Sequence, residues 1–450
     1  MSCWSPRRER CGRTLRDSDA VSERLHTLLH SGNSGPTHPG SEEPHMSRHN
    51  KRRSKLQKRL TVLGGGGVAV AAAVFAVNVA SAAQVSPTPH ATPRAASKAD
   101  HAVFVQANEL AGNTIRVFHR GNDGQLTAAG TYATGGKGGD QTDAPTDSLA
   151  SQGSLVYDHR SGRLLALNAG SGTLTSFAVH GQKLTDRQTL STGGDFPSSI
   201  TVSGDLAYVM NAGGAGSVQG YRITAEGLKP LSGSNRGLAL KNDKVPLFSS
   251  SPGQVAFTPD GRNLVVTTKS ANTIEVFPVG KDGLPADKPV VNKSVGMVPF
   301  AIAFDKSGRM LVAEAAKSTV TTYKVRHDGE LTTVQASLPN GQMVLCWLER
   351  AGDFFYGGNT GNSTVSGYRQ DAHGKLALTN EAGIAAAPSG MSQGVIDLAV
   401  AADKFVYVQN ATSGTVDGFR VGRTGALTKI TTVTGLPAFA DSGMEGIAAV

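Results

Sequence analysis

Between residues 101 and 450, apolar and polar positions alternate in short runs, and the runs recur. One recurring unit is a small-residue turn, then Thr or Ser, a β-branched residue or Leu, two further positions, an aromatic, and soon a Gly-x-Leu-like tip. Its copies begin at Thr114, Thr173, Ser217, Thr273, Thr319, Thr364 and Thr415, with aromatics at Phe118, Phe177, Tyr221, Phe277, Tyr323, Tyr368 and Phe419. An aromatic alternating with polar neighbours predicts a half-buried strand. A second element, a short apolar strand, recurs seven times out of phase with the first. It comprises Ser154-Leu155-Val156-Tyr157, Ser199-Ile200-Thr201-Val202, Gln254-Val255-Ala256-Phe257, Ala301-Ile302-Ala303-Phe304, Leu345-Cys346-Trp347-Leu348, Asp397-Leu398-Ala399-Val400 and Gly446-Ile447-Ala448-Ala449. Several copies run into a turn such as Pro259-Asp260-Gly261, after which a third strand rises, as in Leu206-Ala207-Tyr208-Val209.

Successive copies lie 44–59 residues apart, and no helix-period segment interrupts them. Four-stranded units of about 50 residues, repeated seven times, predict an all-β, seven-bladed β-propeller. One unit cannot bury its own apolar face, so neighbouring blades must stack. The repeat region opens on a second strand, Ala102-Val103-Phe104-Val105, and ends on a first strand, Gly446-Ile447-Ala448-Ala449. The N- and C-terminal strands should therefore close one shared blade and remove free edges.

Charge changes the reading of partners. The 450 residues carry a net +9, but residues 1–83 hold 13 of the 44 Lys and Arg and 6 of the 35 Asp and Glu. The rest is nearly balanced, so the charge gives no support for nucleic-acid binding by the repeats. Cys3 and Cys11 precede the repeats and Cys346 lies within them, which excludes an internal disulfide or a Cys-rich zinc site there. Cys346, inside Val344-Leu345-Cys346-Trp347-Leu348, reads as a small buried hydrophobe.

Residues 48–59 are strongly basic, residues 60–80 are apolar, and Ala80-Ser81-Ala82 offers a small-residue cleavage site. That order predicts a signal peptide over residues 46–83, cleaved near Ala82, and a secreted protein. Met46 is the expected initiator, which leaves residues 1–45 as a disordered start-site error. Residues 84–100 form a Pro/Ala/Thr-rich linker, and residues 101–450 the propeller. Arg52-Arg53 leaves twin-arginine export open beside the general route. Residues 60–83 are also long enough to span a bilayer if uncleaved, although four glycines at 64–67 oppose a stable membrane anchor.

Residues just before the inner strands should face one mouth of the channel. The polar ones are Gln152, Ser154, Ser198, Ser199, Gln254, Gln393, Asp397 and Glu445. Asp397 and Glu445 are the only acids among them: two carboxylates suited to acid–base work or a cation, or simply hydrogen-bonded at a strand end. A second ring should end the third-rising strands: Asn108, Asn168, Asn211, Thr268, Glu314, Asn359 and Asn410. Asn commonly initiates turns, and Glu314 alone is charged. His101, His119, His159, His180, His327 and His373 read as solvated turn residues. Gly135-Gly136 and Gly138-Gly139 read as flexible loop, with no phosphate-binding or serine-hydrolase motif in a strand–helix setting.

Thr258-Pro259-Asp260-Gly261-Arg262-Asn263-Leu264-Val265-Val266 and Asn272-Thr273-Ile274-Glu275-Val276-Phe277 resemble the lactonase-type propellers, which include propeller 6-phosphogluconolactonases and 3-carboxymuconate cyclases. The resemblance spans about residues 101–450. It implies channel chemistry by His, Arg and Glu on a lactone or a muconate carboxylate. Where the family carries Pro-Arg-His this chain has Pro299-Phe300-Ala301, and where it carries histidines around a proline this chain has Phe196-Pro197-Ser198. The family's glutamate matches Glu314. Three readings follow. One is a non-catalytic propeller that binds a small molecule or an extracellular protein, with Gln254, Ser199, Glu445 and Gln393 as ligand contacts. Another is a diverged lactone hydrolase or muconate cycloisomerase using Glu314 and Asp397. The third is an envelope scaffold held by an uncleaved segment. A monomer without cofactor or metal is expected.

Overall fold

The computed structural model describes residues 98–387 and 394–450. The expected signal peptide, Met46, residues 84–97 of the expected linker and Gln393 lie outside the described residues. Seven antiparallel sheets are present, numbered here as blades I to VII. From the inside outward, blade I is Ile447–Ala449, Ala102–Gln106, Thr114–Arg120 and Leu126–Ala133. The inner strands of blades II to VII are Leu155–Asp158, Pro197–Ser203, Pro252–Phe257, Pro299–Phe304, Leu345–Ala351 and Val395–Ala401. Each blade has four strands in series, and blade III gains a short fifth, Arg236–Gly237, against Ser217–Thr224. Inner strands touch their neighbours in an unbroken cycle, so the blades form a closed seven-membered ring.

The expected closure is present. Val103 pairs with Ala449, Phe104 with Ala448 and Val105 with Ile447. The core lies between blades rather than within them. Phe104 of blade I packs on Leu155 and Tyr157 of blade II, Leu165 of blade II on Ile200 and Tyr221 of blade III, and Phe405 and Tyr407 of blade VII on Val103 and Val105 of blade I. Tyrosines latch neighbouring blades: Tyr208, Tyr356 and Tyr407 donate to the tip carbonyls of Gly283, Gly425 and Gly124. The recurring glycine tip is thus a docking point for the blade before it.

Inner strands begin on what we call the upper face. Five of them carry a register shift near that end, between Pro197 and Ser199, Pro252 and Gln254, Pro299 and Ile302, Leu345 and Trp347, and Val395 and Leu398. Bulges re-aim side chains, and these aim the starts of the strands at the channel mouth. Blade I corrects one expectation: Ala107, not Asn108, stands opposite Thr114, and Asn108 follows with φ 56°.

Candidate functional site: a stoppered channel mouth

The connection from blade I to blade II, residues 134–154, is far longer than its counterparts 192–196, 294–298 and 340–344. Its extra length crosses the channel. Residues 147–152 are no more than 3% exposed and touch four blades. The Leu149 amide donates to Glu445 Oε1 (2.9 Å) of blade I, and Ser151 Oγ to the Ser198 carbonyl (2.7 Å) of blade III. From blade IV, Lys269 Nζ donates to the Ala150 carbonyl at 3.0 Å, and the Gln152 amide donates to the Gly253 carbonyl at 3.1 Å. From blade VI, Trp347 Nε1 donates to the Ser151 carbonyl (3.3 Å) and the Leu348 amide to Gln152 Oε1 (3.0 Å). Asp147 Oδ1 folds the crossing by accepting the amides of Leu149 and Ala150. A second long connection braces it: the Phe248 amide donates to the Thr142 carbonyl, and Phe248 packs on Ala150.

The glycines read as flexible serve close approach instead. A Cβ on Gly138 would lie 1.9 Å from the Asn108 carbonyl oxygen, and one on Gly139 2.7 Å from Ala169 Cβ. Neither wall is a movable side-chain end at Gly138. Gly138→Ala is therefore expected to lower stability by about 1–3 kcal/mol, read by urea denaturation; an unchanged midpoint would show that the connection is slack.

The stopper closes over acids. Asp147, Asp397 and Glu445 are buried and Glu349 half-buried. Burial pushes the Asp397 carboxyl well up, and the nearby Glu349 carboxylate adds to it. Burial likewise raises Asp147 and Glu445, and the two neighbouring carboxyls titrate together. Asp147 Oδ2 is buried without a hydrogen-bond partner. Glu349 is pushed up to about 7 by burial, and it accepts from Gln152 Nε2 at 2.9 Å. Lys269 stands between the Phe248 and Phe300 rings, 4.8 and 5.2 Å from their centroids, and burial brings its ammonium down to about 8. Cys346 is buried beside it, with its thiol pushed up to about 12 by burial. The space among Asp147, Phe248, Phe300, Cys346 and Trp347 is about 10 Å³, room for roughly one water.

A family model described as "Lactonase, 7-bladed beta-propeller" matches residues 14–231 and 239–348. The chain belongs to that lactonase family. Among solved structures it is similar to a Bacteroides uniformis protein named as a candidate 6-phosphogluconolactonase, at 14% identity and TM-score 0.58 over 75% of this chain and 98% of that one. It is also similar to the periplasmic gluconolactonase PpgL of Pseudomonas aeruginosa, at 18% identity and TM-score 0.55 over 75% and 98%. At such identities the likeness shows the fold. No curated protein matches the sequence.

In this lactonase-family propeller the predicted residues divide. Glu445 and Asp397 do come together at the mouth, joined by Asp147 and Glu349. Ser199 and Gln254 serve the ring: Ser199 Oγ donates to the Gln152 carbonyl and accepts the Val255 amide, and Gln254 Oε1 accepts the Ile302 amide at 2.6 Å. These side chains cover the unpaired edge that every inner strand presents to the channel. Glu314 points into its own blade, where Oε1 accepts from the Gly296 amide at 2.7 Å and Oε2 from Thr319 Oγ1 at 2.5 Å. Asn359 serves the same strand end in blade VI, donating to Thr364 and Ser366. The six histidines of the described residues are half-buried or exposed, away from the mouth. No group of three His, Cys, Asp or Glu there is placed to hold a metal ion.

Asp147, Lys269 and Glu349 escaped the sequence reading. Lys269 did carry a signal. The residue after the strand-end ring is Ala169, Ala212, Ala315, Thr360 and Ala411 in blades II, III, V, VI and VII, and lysine only in blade IV. Glu349 interrupts an apolar run in the same way. Asp147 had none, because its connection has no repeat to compare with.

Proposed function

We propose that the protein is an exported binding propeller that works through its faces rather than by chemistry in an open channel. One observation carries this reading: residues 147–152 fill the mouth, buried and held by their backbone carbonyls where a substrate would enter. On the lower face two polar clefts stay open. One, of about 620 Å³, lies between blades IV and V and includes Asp260, Asn263, Arg309 and Lys324; the other, of about 320 Å³, lies between blades V and VI and includes Asp305, Arg309, Arg350 and Asp371. Both are of a size that suits a small polar ligand. The basic-then-apolar order of residues 48–83 supports export.

A second reading, a diverged lactone hydrolase or muconate cycloisomerase, is favoured by family membership and by the acids beneath the stopper. The deciding experiment uses protein recovered outside the cells, whose first residue is expected to be Ala83. It is incubated at pH 6 with sugar lactones and muconolactones. No turnover above buffer is expected. Turnover that Asp397→Asn or Glu314→Gln abolishes would overturn the binding role.

A further inference from the structure

The stopper is held by groups that titrate. Its own Asp147 faces Glu445 from blade I, Asp397 from blade VII, Cys346 from blade VI and Lys269 from blade IV, while Glu349 of blade VI faces Asp397 and holds the stopper's Gln152. Asp140, earlier in the same connection, and Arg350, next to Glu349, complete the charged surroundings. Ionising all four mouth carboxyls would gather four negative charges around one ammonium in a space nearly free of water. An ionised Asp147 and an ionised Glu445 would also repel each other at close range, with Asp147 Oδ2 buried and unpartnered. Both changes push on one short segment, because Asp147 builds its turn, Glu445 holds its Leu149 amide and Glu349 holds its last residue, Gln152.

We propose that residues 147–152 form a proton-held gate: protons on Asp147, Glu445, Asp397 and Glu349 keep it seated, and their loss unseats it and opens the channel mouth. The inference does not rest on the binding role, since it concerns only when the channel is closed.

The direction follows from linkage. A carboxyl that holds its proton more tightly in the seated state favours that state fully below its ordinary pKa, and the advantage is lost as pH rises through the seated value, about 7 for Glu349. Lys269 acts oppositely from about 8 upward, since its lowered value favours the seated state once solution is alkaline enough to deprotonate it there. Loosening is therefore expected between about pH 5 and 8.

Amide protection of residues 147–152 is measured by hydrogen exchange at pH 5.5 and 8, corrected for intrinsic rates, in the full chain carrying Trp4→Phe. Trp347 emission then reports its contact with Ser151, and far-UV circular dichroism the wheel. Protection of the segment should fall about tenfold or more, with Trp347 emission moving in step and the blades unchanged. Asp397→Asn and Glu349→Gln should each shift the midpoint to higher pH. Glu349→Gln keeps the comparison available if Asp397→Asn fails to fold, because Glu349 is only half-buried. Unchanged protection in a folded protein would overturn the gate, and so would loss at the same midpoint as the whole wheel. Lactone turnover that appears only at pH 8 would support the gate while overturning the binding role, so the two fail separately.

Discussion

Trp347→Ala should lower the free energy of unfolding by about 4 kcal/mol, more than other single changes near the mouth. The indole is 1% exposed and stands edge-on to Phe300, with ring centroids 5.3 Å apart. It belongs to the large apolar cluster that joins blades V, VI and VII. Truncation removes that packing and leaves a cavity that three β-sheets are too rigid to close. It also leaves the Ser151 carbonyl without its indole donor, so the stopper loses a support from blade VI. Trp347→Phe, which keeps most of the bulk, should cost about half as much. Urea denaturation of the two variants separates the contributions, and a loss below about 1 kcal/mol for Trp347→Ala would mean that the indole is not built into the core.

Removing residues 446–450 should do more still, by abolishing cooperative folding. The segment supplies the innermost strand of blade I, three backbone pairings to Val103, Phe104 and Val105, and the carbonyl of Val450 that receives Arg120 Nε at 2.8 Å. Ile447 and Ala448 contribute to the cores on both sides of the blade. Without them, strand Ala102–Gln106 presents a bare apolar edge, and blades II and VII lose their neighbour across the gap. Exposed edges of this kind template aggregation. The shortened chain is expected to accumulate insoluble, and any soluble fraction to melt broadly. A single sharp transition at the full-length midpoint would show that the remaining strands close the ring unaided.

The wheel was legible because its information is repeated. Thr-x-x-x-aromatic strands and short apolar strands each occur seven times, so one irregular copy does not hide the pattern. Even the closure could be read, since the repeats begin and end mid-blade. The mouth was legible only in part. Glu445 and Asp397 sit at positions fixed by the repeat, and they were found. Asp147 sits in a connection that occurs once, and its place depends on how a long loop folds over four blades. Ser199 and Gln254 were placed at the correct end of their strands, but the sequence does not tell that a neighbouring strand's amide takes the side chain first. Asn108 was misplaced by one residue because the hairpin of blade I is longer than the others.

The shared blade has a mechanical consequence. The strands bearing Ala102 and Ala449 run antiparallel, and the Val450 amide donates to the Ala102 carbonyl, so both ends of the wheel leave from the lower face. Bonds of an antiparallel pair lie across the strands. Tension applied to the two ends would load them singly, from the Ala102 end upward, and part the pair like a zip. The wheel would thus yield to a modest pull at its seam, and cargo fused at either end would leave the stoppered face clear.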